Sequence, residues 1–358
     1  MDVRGHSPRL SAEHHDNIPE FGGLYRRTHE DRSLNLQKLN GIPKREEYNE
    51  PHSVFKKDFT MPYFGVHESI IGGHDRAVLA VAAAGFDCVQ LFSKNSSQWK
   101  AKPLTEVEGQ RFQQALQSQN IRFPLIHDSY LINLATAKED LRQKSIAAFV
   151  DEMERTAILG IPWIVMHPGS PTGDESANAE ENGLQRIAEA FDVIFQQTQR
   201  SAAAIIVLLE TTAGQGSNLG WKFEHLARII DLSAYPDRFG VCVDTCHITA
   251  AGYSLATPKE YEATFEQFDK IIGLDRLMAF HLNDSVKGIG SRVDRHAHIG
   301  HGALGLEPFR LLINDEQFAE LPMYLETPKG IVELDGKTYD WDVVNLRTLK
   351  SLLQEPGM

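Results

Sequence analysis

The stretch Phe239-Gly-Val-Cys-Val-Asp244-Thr-Cys-His247 decides the fold, because it joins a short apolar run to ionisable side chains at its carboxyl end. Apolar runs of roughly four to eight residues are typical of buried strands. Because parallel strands of an α/β barrel direct their carboxyl ends to one face, such a pattern predicts a shared site there. Other apolar runs also stop at a His or Glu; these end at His127, His167, Glu210, His281 and Glu326.

Strand and helix patterns alternate from Met61 onward. Two further strands are predicted at residues 63–67 and 88–92, and the seventh strand is expected to end near Asp284. Helical patterns cover residues 71–85, 105–119, 138–159, 180–197, 223–232, 259–272, 306–313 and 341–353. This alternation predicts an α/β protein with the (β/α)8 TIM-barrel fold over residues 61–358, with its active site at the C-terminal ends of the strands.

Residues 1–60 differ from the rest of the chain, with charged clusters such as Glu13-His14-His15-Asp16 and few apolar runs. This composition predicts a polar, loosely ordered N-terminal extension. The N-terminus also lacks the apolar core of a signal peptide, and no run approaches the ~20 apolar residues of a membrane helix. We therefore expect a cytoplasmic protein with no membrane partner.

The formal net charge is −13, which taken alone argues against a nucleic-acid partner. Net charge describes the whole surface, however, and divalent cations bound at one face would make that face positive. The three cysteines, Cys88, Cys242 and Cys246, do not suggest a disulfide framework, and we expect the first two to be buried in strands. Cys246 lies beside His247 and is a candidate soft metal ligand.

Imidazole and carboxylate side chains supply the candidate metal ligands. Imidazole suits zinc, and carboxylate suits zinc or manganese. Four carboxylates gathered without a cation would repel one another, whereas a bridging carboxylate would let the whole set hold three ions. A single strand-end histidine could instead be a hydrogen-bonded core residue, and Asp244 could instead cap a helix. The candidates are His127, His167, Glu210, Asp244, His247, His281, Asp294, His296 and Glu326.

The strongest functional signal lies in motifs that follow one another along the chain. They are His127-Asp-Ser-Tyr-Leu-Ile-Asn-Leu134, His167-Pro-Gly-Ser170, Glu210-Thr-Thr-Ala-Gly-Gln-Gly-Ser-Asn-Leu-Gly220, Gly240-Val-Cys-Val-Asp-Thr-Cys-His247, His281-Leu-Asn-Asp284 and Gly290-Ser-Arg-Val-Asp-Arg-His296. Together they resemble the endonuclease IV family of apurinic/apyrimidinic (AP) endonucleases. The resemblance extends from Met61 to Thr327 and leaves the N-terminal extension outside.

The resemblance implies a DNA-repair enzyme that hydrolyses the phosphodiester 5′ to an abasic site in double-stranded DNA, leaving a 3′ hydroxyl and a 5′ deoxyribose phosphate. It also implies 3′-phosphatase and 3′-diesterase activity, and three Zn2+ per chain with Mn2+ admissible in part of the centre; we expect a monomer. Glu210 would also be catalytic, by orienting the attacking water or accepting its proton. The implied ligand sets are His127, His167 and Glu210; Glu210, Asp244, His281 and Glu326; and His247, Asp294 and His296.

The resemblance also implies which residues contact DNA. Tyr130 and Leu131 match the family's insertion wedge, which fills the gap at the lesion. The family commonly has an arginine where Ser97 stands, so we expect weaker discrimination of abasic from intact DNA. A second departure is Gly300-His-Gly302, where the family has Gly-Glu-Gly. Other candidate DNA contacts are Asn95, Gln98, Asn133, Ser291, Arg292 and Arg295.

Two other functions are compatible with part of this pattern. Sugar isomerases and epimerases on related barrels place Glu, Asp and His at the same strand ends, but they hold fewer ions and often use a catalytic lysine. A non-catalytic DNA-damage binding protein with structural zinc is the other alternative, although structural sites tend to be closed and sparse. Counting the bound ions and testing for cleavage of abasic DNA would separate the three.

Overall fold

The computed structural model describes residues 62–354, which form a closed barrel of parallel strands. The barrel strands are β1 (Tyr63–Glu68), β2 (Cys88–Phe92), β3 (Arg122–His127), β4 (Trp163–Met166), β5 (Ile206–Glu210), β6 (Phe239–Asp244), β7 (Leu277–His281) and β8 (Pro322–Leu325). Each strand pairs with the next in chain order, and β8 pairs with β1 to close the barrel. The predicted (β/α)8 fold is therefore confirmed. The predictions for residues 1–60, including the boundary at Met61, fall outside the described residues.

Helices alternate with the strands, as predicted. They are α1 (His74–Ala83), α2 (Glu106–Gln119), α3 (Glu139–Ile158), α4 (Ala179–Gln197), α5 (Phe223–Leu232), α6 (Thr245–Ala251), α7 (Pro258–Ile271), α8 (Glu307–Ile313) and α9 (Trp341–Ser351). The sequence pattern of α1 covers residues 71–85 with Gly73 as its start signal, and the helix does begin directly after Gly73. Ile71 and Gly72 stay outside it, because Gly72 and Gly73 have φ of 89° and 128°, outside the helical region. Within residues 62–354, every helix is too short or too polar to cross a lipid bilayer.

Two local features shape the carboxyl ends of the strands, which we call the mouth of the barrel: β7 ends earlier than predicted, and Asp244 caps a helix, as the alternative for that residue predicted. Strand β7 ends at His281, and the following Asp284–Ser285 pairs in antiparallel fashion with His296–Ala297. Helix α6 begins directly after β6, because the carboxylate of Asp244 accepts a hydrogen bond from the backbone N–H of His247 at 2.8 Å. Both features turn loop residues back towards the mouth. A hairpin of Ile331–Leu334 and Lys337–Asp340, which no pattern in the sequence predicts, follows β8.

The barrel interior is filled with side chains beneath the mouth. Gly65 of β1 makes room for a large neighbour, because a Cβ atom there would lie 2.5 Å from the ring of Tyr324. The interior cluster includes Cys88, Leu125, Val165, Leu208, Cys242, Ala279 and Tyr324, so the two strand cysteines are buried as expected. A larger apolar core packs between the strands and the surrounding helices. The polar side chains of the mouth therefore lie on a packed apolar floor.

Candidate metal centre

The candidate ligands come together at the mouth of the barrel. Their donor atoms form three groups, and within each group the atoms lie within 4.8 Å of one another. The first two groups come mainly from strand ends, and the third comes from the start of α6 and the loop after β7. The groups are His127, His167 and Glu210; Glu210, Asp244, His281 and Glu326; and His247, Asp294 and His296. These are the same sets that the resemblance implies.

Glu210 lies at the centre of the arrangement, fully buried at the end of β5. Its Oε2 atom is 3.4 Å from Nε2 of His127 and 3.0 Å from Nε2 of His167. Its Oε1 atom is 3.0 Å from Nδ1 of His281 and 3.2 Å from Nδ1 of His247. One carboxylate thus contacts imidazoles from four parts of the mouth, as a bridging ligand must.

Hydrogen bonds to the protein orient the imidazole rings. Nδ1 of His127 lies 2.9 Å from the carbonyl oxygen of Asp128, and Nδ1 of His247 lies 2.8 Å from that of Thr211. Nδ1 of His296 lies 3.1 Å from the carbonyl oxygen of Glu326. Because a carbonyl oxygen only accepts, each Nδ1 carries the proton. The Nε2 atom of each ring is then the nitrogen that faces the centre, and it would bind a cation once its own proton is lost.

Two residues beside the ligands escaped the sequence analysis. The side-chain amide of Gln90 donates to Glu326, and its oxygen lies 2.8 Å from Nε2 of His281. The amide of Asn283 donates to Asp244 at 2.6 Å, and its oxygen accepts from the backbone N–H of Glu326 at 2.9 Å. The available signals were weak: Gln90 is the polar residue of the run Cys88-Val-Gln-Leu-Phe92, and Asn283 lies within a motif already quoted.

Electrostatics in the centre couple the imidazoles to the carboxylates. Burial opposes charge on His127, but contact with Glu210 outweighs it and raises the pKa of His127 to about 9. Burial also opposes charge on His247, yet the carboxylate of Asp244 and its neighbours raise the pKa of His247 well above its usual value. Burial would raise the pKa of Glu210, but His167 and other imidazoles lower it well below the usual range. In the absence of metal, protons on the imidazoles thus balance the negative charge of the carboxylates. A bound cation would replace those protons.

The donor set fits zinc. Three nitrogen and oxygen ligands are typical of zinc sites that retain an open position, and four complete a tetrahedral site. Oε2 of Glu210 is buried and has no hydrogen bond of good geometry within residues 62–354. A buried, unsatisfied carboxylate oxygen is costly, and a cation would remove that cost. Cys246 also approaches Asp244 and His296, but burial and the charge of Asp244 raise the pKa of its thiol to about 12, which disfavours a thiolate ligand.

The loops after β2 and β3 carry several predicted DNA contacts at the mouth. Tyr130 is 68% exposed and Leu131 is half-buried. Asn95 and Gln98 are exposed. Asn133 has an unforeseen structural role: its amide donates to the carbonyl of Ser170 at 2.9 Å, and its oxygen accepts from the backbone N–H of Ser170 at 3.1 Å. Asn133 therefore braces two loops, and its contact with DNA remains a prediction.

The loop after β2 is fixed at its base and closed by a small turn at its tip. Nζ of the buried Lys94 lies 2.7 Å from Oδ2 of Asp151 and 2.9 Å from Oε1 of Glu152, both on α3. At the tip, the hydroxyl of Ser97 donates to the side-chain oxygen of Asn95 at 2.7 Å. The position where the family commonly has arginine is thus occupied by a short side chain engaged in local hydrogen bonding.

The loop after β7 carries the remaining predicted DNA contacts. Arg292 and Arg295 are exposed, and Ser291 is half-buried. The guanidinium carbon of Arg292 lies 3.7 Å from the ring centroid of Trp221, a contact that the sequence did not predict. Arg295 donates to the carbonyl of Asp294 at 2.7 Å. Both arginines lie in the segment that carries Asp294, so they border the third donor group.

A closed parallel barrel with a cluster of His, Asp and Glu at its mouth is typical of metal-dependent TIM-barrel enzymes. In agreement, the family model described as xylose isomerase-like TIM barrel matches residues 78–347. Probable endonuclease 4 of Chloroflexus aggregans is 51% identical over 294 residues, covering 82% of this chain and 99% of that protein. Probable endonuclease 4 of Citrifermentans bemidjiense is 50% identical, with 82% and 100% covered. The chain belongs to the endonuclease IV family of enzymes. The resemblance seen in the sequence, and with it the expectation of an AP endonuclease-type enzyme, is confirmed.

Comparison with solved structures also places the chain with endonuclease IV. The crystal structure of endonuclease IV from Thermus thermophilus has a TM-score of 0.69 and 32% identity, covering 81% of this chain and 98% of that chain. A D-tagatose 3-epimerase-like protein has a TM-score of 0.60 but only 19% identity, covering 81% and 96%. At that identity the likeness extends to the fold alone, so it gives the isomerase alternative no support in chemistry.

Proposed function

We propose that this protein is a DNA-repair nuclease that hydrolyses double-stranded DNA 5′ to an abasic site with a trinuclear zinc centre. The observation that supports this best is the sharing of Glu210 between two of the three donor groups. A shared carboxylate keeps like-charged ions close together, as a multi-ion centre requires. The relatives named endonuclease 4 and endonuclease IV support the same reaction class.

Each donor group would hold one zinc ion, with Mn2+ admissible in part of the centre. When bound, zinc would neutralise charge on the phosphodiester and lower the pKa of a water molecule. The chain itself supplies orientation, because the backbone anchors on Nδ1 of His127 and His247 direct Nε2 inward. No serine nucleophile is required: the hydroxyl of Ser129 donates to the carbonyl of Ser96 at 2.6 Å.

We assign the catalytic role to Glu210. Its lowered pKa keeps the carboxylate ionised at neutral pH, so it can accept a hydrogen bond from the attacking water and align that water with the phosphorus. The same carboxylate can also accept the proton that this water loses.

The expected products follow from the bond that breaks. Attack on the phosphorus 5′ to the lesion expels the 3′ oxygen of the preceding nucleotide, which leaves a 3′ hydroxyl and a 5′ deoxyribose phosphate. Removal of a 3′ phosphate or 3′ phosphodiester breaks the same kind of bond, between phosphorus and a 3′ oxygen. The same centre would therefore have 3′-phosphatase and 3′-diesterase activity.

The exposed side chains around the mouth would recognise the substrate. Tyr130, with most of its surface exposed, and Leu131 would fill the space left by the missing base. Asn95, Gln98, Ser291 and Arg295 would contact the backbone, and such contacts weaken steeply with salt. We propose that the enzyme works as a monomer inside the cell, where its DNA substrate lies.

The isomerase and binding-protein alternatives are less well supported. The buried lysine near the strand ends, Lys94, is paired with Asp151 and Glu152, so it is not available as the catalytic lysine of a sugar isomerase. A purely structural site would not need a carboxylate shared between two groups. Neither alternative accounts for the third group of His247, Asp294 and His296.

Two measurements test the proposal. Elemental analysis should give one zinc per donor group. A duplex oligonucleotide with a single tetrahydrofuran abasic analogue should be cut on its 5′ side, with activity lost on chelation and restored by zinc. Stoichiometric zinc without any cleavage would favour the damage-binding alternative. Epimerisation of a ketose by a protein with only one or two ions would favour the isomerase.

A further inference from the structure

The third donor group depends on a loop, unlike the other two. Asp294 and His296 lie in the segment between β7 and α8, and the carboxylate of Asp294 is 37% exposed whereas that of Glu210 is fully buried. Loops are more mobile than strands, so some contact must hold this segment if its two side chains are to bind one ion. The antiparallel pairing of Ser285 with His296 fixes one end of it, and the backbone N–H groups of Gly290 and Arg292 donate to carbonyls of α6 at 3.0 and 2.9 Å.

The loop after β5 holds the backbone of Asp294 and the side chain of Arg292 between these two anchors. The backbone N–H of Asp294 donates to the side-chain oxygen of Gln215 at 3.0 Å. Two residues earlier, the guanidinium of Arg292 lies over the ring of Trp221. Arg292 has φ of 53°, a left-handed conformation that is unfavourable for a residue with a side chain. Such a conformation persists only where surrounding contacts hold it.

The loop after β5 is itself firmly packed. Gly214, with φ of 73°, lies against Trp221 so closely that a Cβ atom would be 2.8 Å from the indole. The N–H of Leu219 donates to the carbonyl of Gly169 at 2.7 Å, which ties the loop to the one that follows β4. The loop starts directly after Glu210, the shared carboxylate. It can therefore act as a fixed support between the first donor group and the third.

We infer that Gln215 and Trp221 are positioning residues that assemble the third metal-binding group, by clamping the segment of residues 290–296 against the loop after β5. This inference rests on the proposed three-zinc function. Loss of the clamp frees Asp294 to move away from His296, which stays paired with Ser285, whereas the ligands on β3, β5, β6 and β7 stay in place. Arg292 is predicted as a DNA contact, but in this scheme its main role is to hold the segment against Trp221.

Native mass spectrometry of the full chain at limiting zinc tests the inference. The variants Gln215→Met and Trp221→Leu remove the hydrogen-bond acceptor and the ring, and each should bind two zinc ions where the wild type binds three. Affinity for the third ion should fall roughly 10–100-fold, as for other groups that support ligands. Trp221→Phe keeps an aromatic face for Arg292 and should restore the third ion. Arg347→Met, which removes a similar contact with Tyr339 away from the centre, should retain all three.

The outcomes are distinguishable. Gln215 is exposed, so its replacement leaves the core intact, and a melting temperature equal to that of the wild type excludes unfolding as the cause of zinc loss. Variants that keep the third zinc at wild-type affinity overturn the clamp but leave the proposed function standing. A wild type with only two zinc ions overturns the three-ion centre, and the clamp with it. Loss of all the zinc from Gln215→Met also overturns the clamp, which predicts a selective effect.

Discussion

Nε2 of His281 lies 2.8 Å from the side-chain oxygen of Gln90, and this contact decides which ring nitrogen is available to a metal ion. An amide oxygen only accepts hydrogen bonds, so Nε2 must carry the proton. Nδ1 faces Glu210 at 3.0 Å and is therefore the nitrogen that a cation would bind after its proton is lost. Since the amide of Gln90 also donates to Glu326, one residue of β2 orients two candidate ligands of the second group.

Replacement of Gln90 by leucine should therefore weaken zinc binding at the second group by roughly 10–100-fold. The variant leaves the Nε2 proton of His281 without its acceptor and removes a donor from Glu326. Competition with a chromophoric chelator measures the change. Gln143→Leu is the matched control, because that amide donates to Glu139 on the outer side of α3. Equal zinc affinity in both variants would contradict the role assigned to Gln90.

The variant Glu210→Gln should lower cleavage of abasic DNA by about 10²–10⁴-fold. The substitution keeps the shape of the side chain but removes the charge that imidazoles and ions share. Single-turnover cleavage of the tetrahydrofuran duplex gives the rate. Glu262→Gln, an exposed change on α7, should cleave at the wild-type rate. Near-normal cleavage by Glu210→Gln would refute the assignment of the centre.

The metal-free protein should lose stability as pH rises. The pKa of His127 is about 9 in the folded protein, against an ordinary value of 6.5. A raised folded-state pKa contributes stability fully below about 6.5, and that contribution is lost as pH rises through about 9. Zinc should reverse the trend, because zinc binds deprotonated imidazole more tightly as pH rises. Thermal melting with and without zinc across this interval measures both; a metal-free protein that gains stability would be the contrary result.

The variant Lys94→Met should cost about 3–5 kcal/mol in the free energy of unfolding. The ammonium of Lys94 is only 2% exposed, and its removal leaves Glu152, which is 1% exposed, buried without its counter-ion. Chemical denaturation measures the loss. Arg228→Met removes a pair with Glu181 in which both side chains are about half exposed, and it should cost under ~1 kcal/mol. Similar losses in the two variants would argue against the buried pair as the cause.

The variant Ser97→Arg should increase discrimination between abasic and intact DNA by several-fold. Ser97 is exposed and bonded locally to Asn95, so a longer side chain can leave the loop and enter the gap at the lesion. The ratio of the two dissociation constants, by fluorescence anisotropy, is the measure. Ser118→Arg adds the same charge at the far end of α2 and should leave the ratio unchanged. No change in the ratio for Ser97→Arg would remove the explanation offered for this departure.

The fold and the ligand set were predictable because both follow from where apolar runs stop. Strand ends at His127, Glu210 and Asp244 fall where the structure has them, and barrel closure then brings these side chains together. Even the alternative role of Asp244 as a helix cap is correct, because its carboxylate caps α6 as well as facing the centre. Local pattern and global topology agree at these positions.

The supporting contacts were not predictable, for two physical reasons. Gln90 lies in the middle of β2, and its partner His281 is far along the chain, so no periodicity marks the pair. The contact between Trp221 and Arg292 joins two loops whose shape depends on left-handed backbone at particular residues. Loop conformations of this kind arise from tertiary packing, which a hydrophobic pattern does not encode.

The exposure of Asp294, 37% against fully buried Glu210, Asp244 and His281 at the strand ends, sets an order in which the metals would be lost. Under zinc scarcity the outermost ion would leave first, and the two inner ions would stay. We expect that a molecule depleted of its outermost zinc still binds damaged DNA through the loops at the mouth but cleaves it slowly. Such a molecule would shield lesions until the supply of zinc recovers.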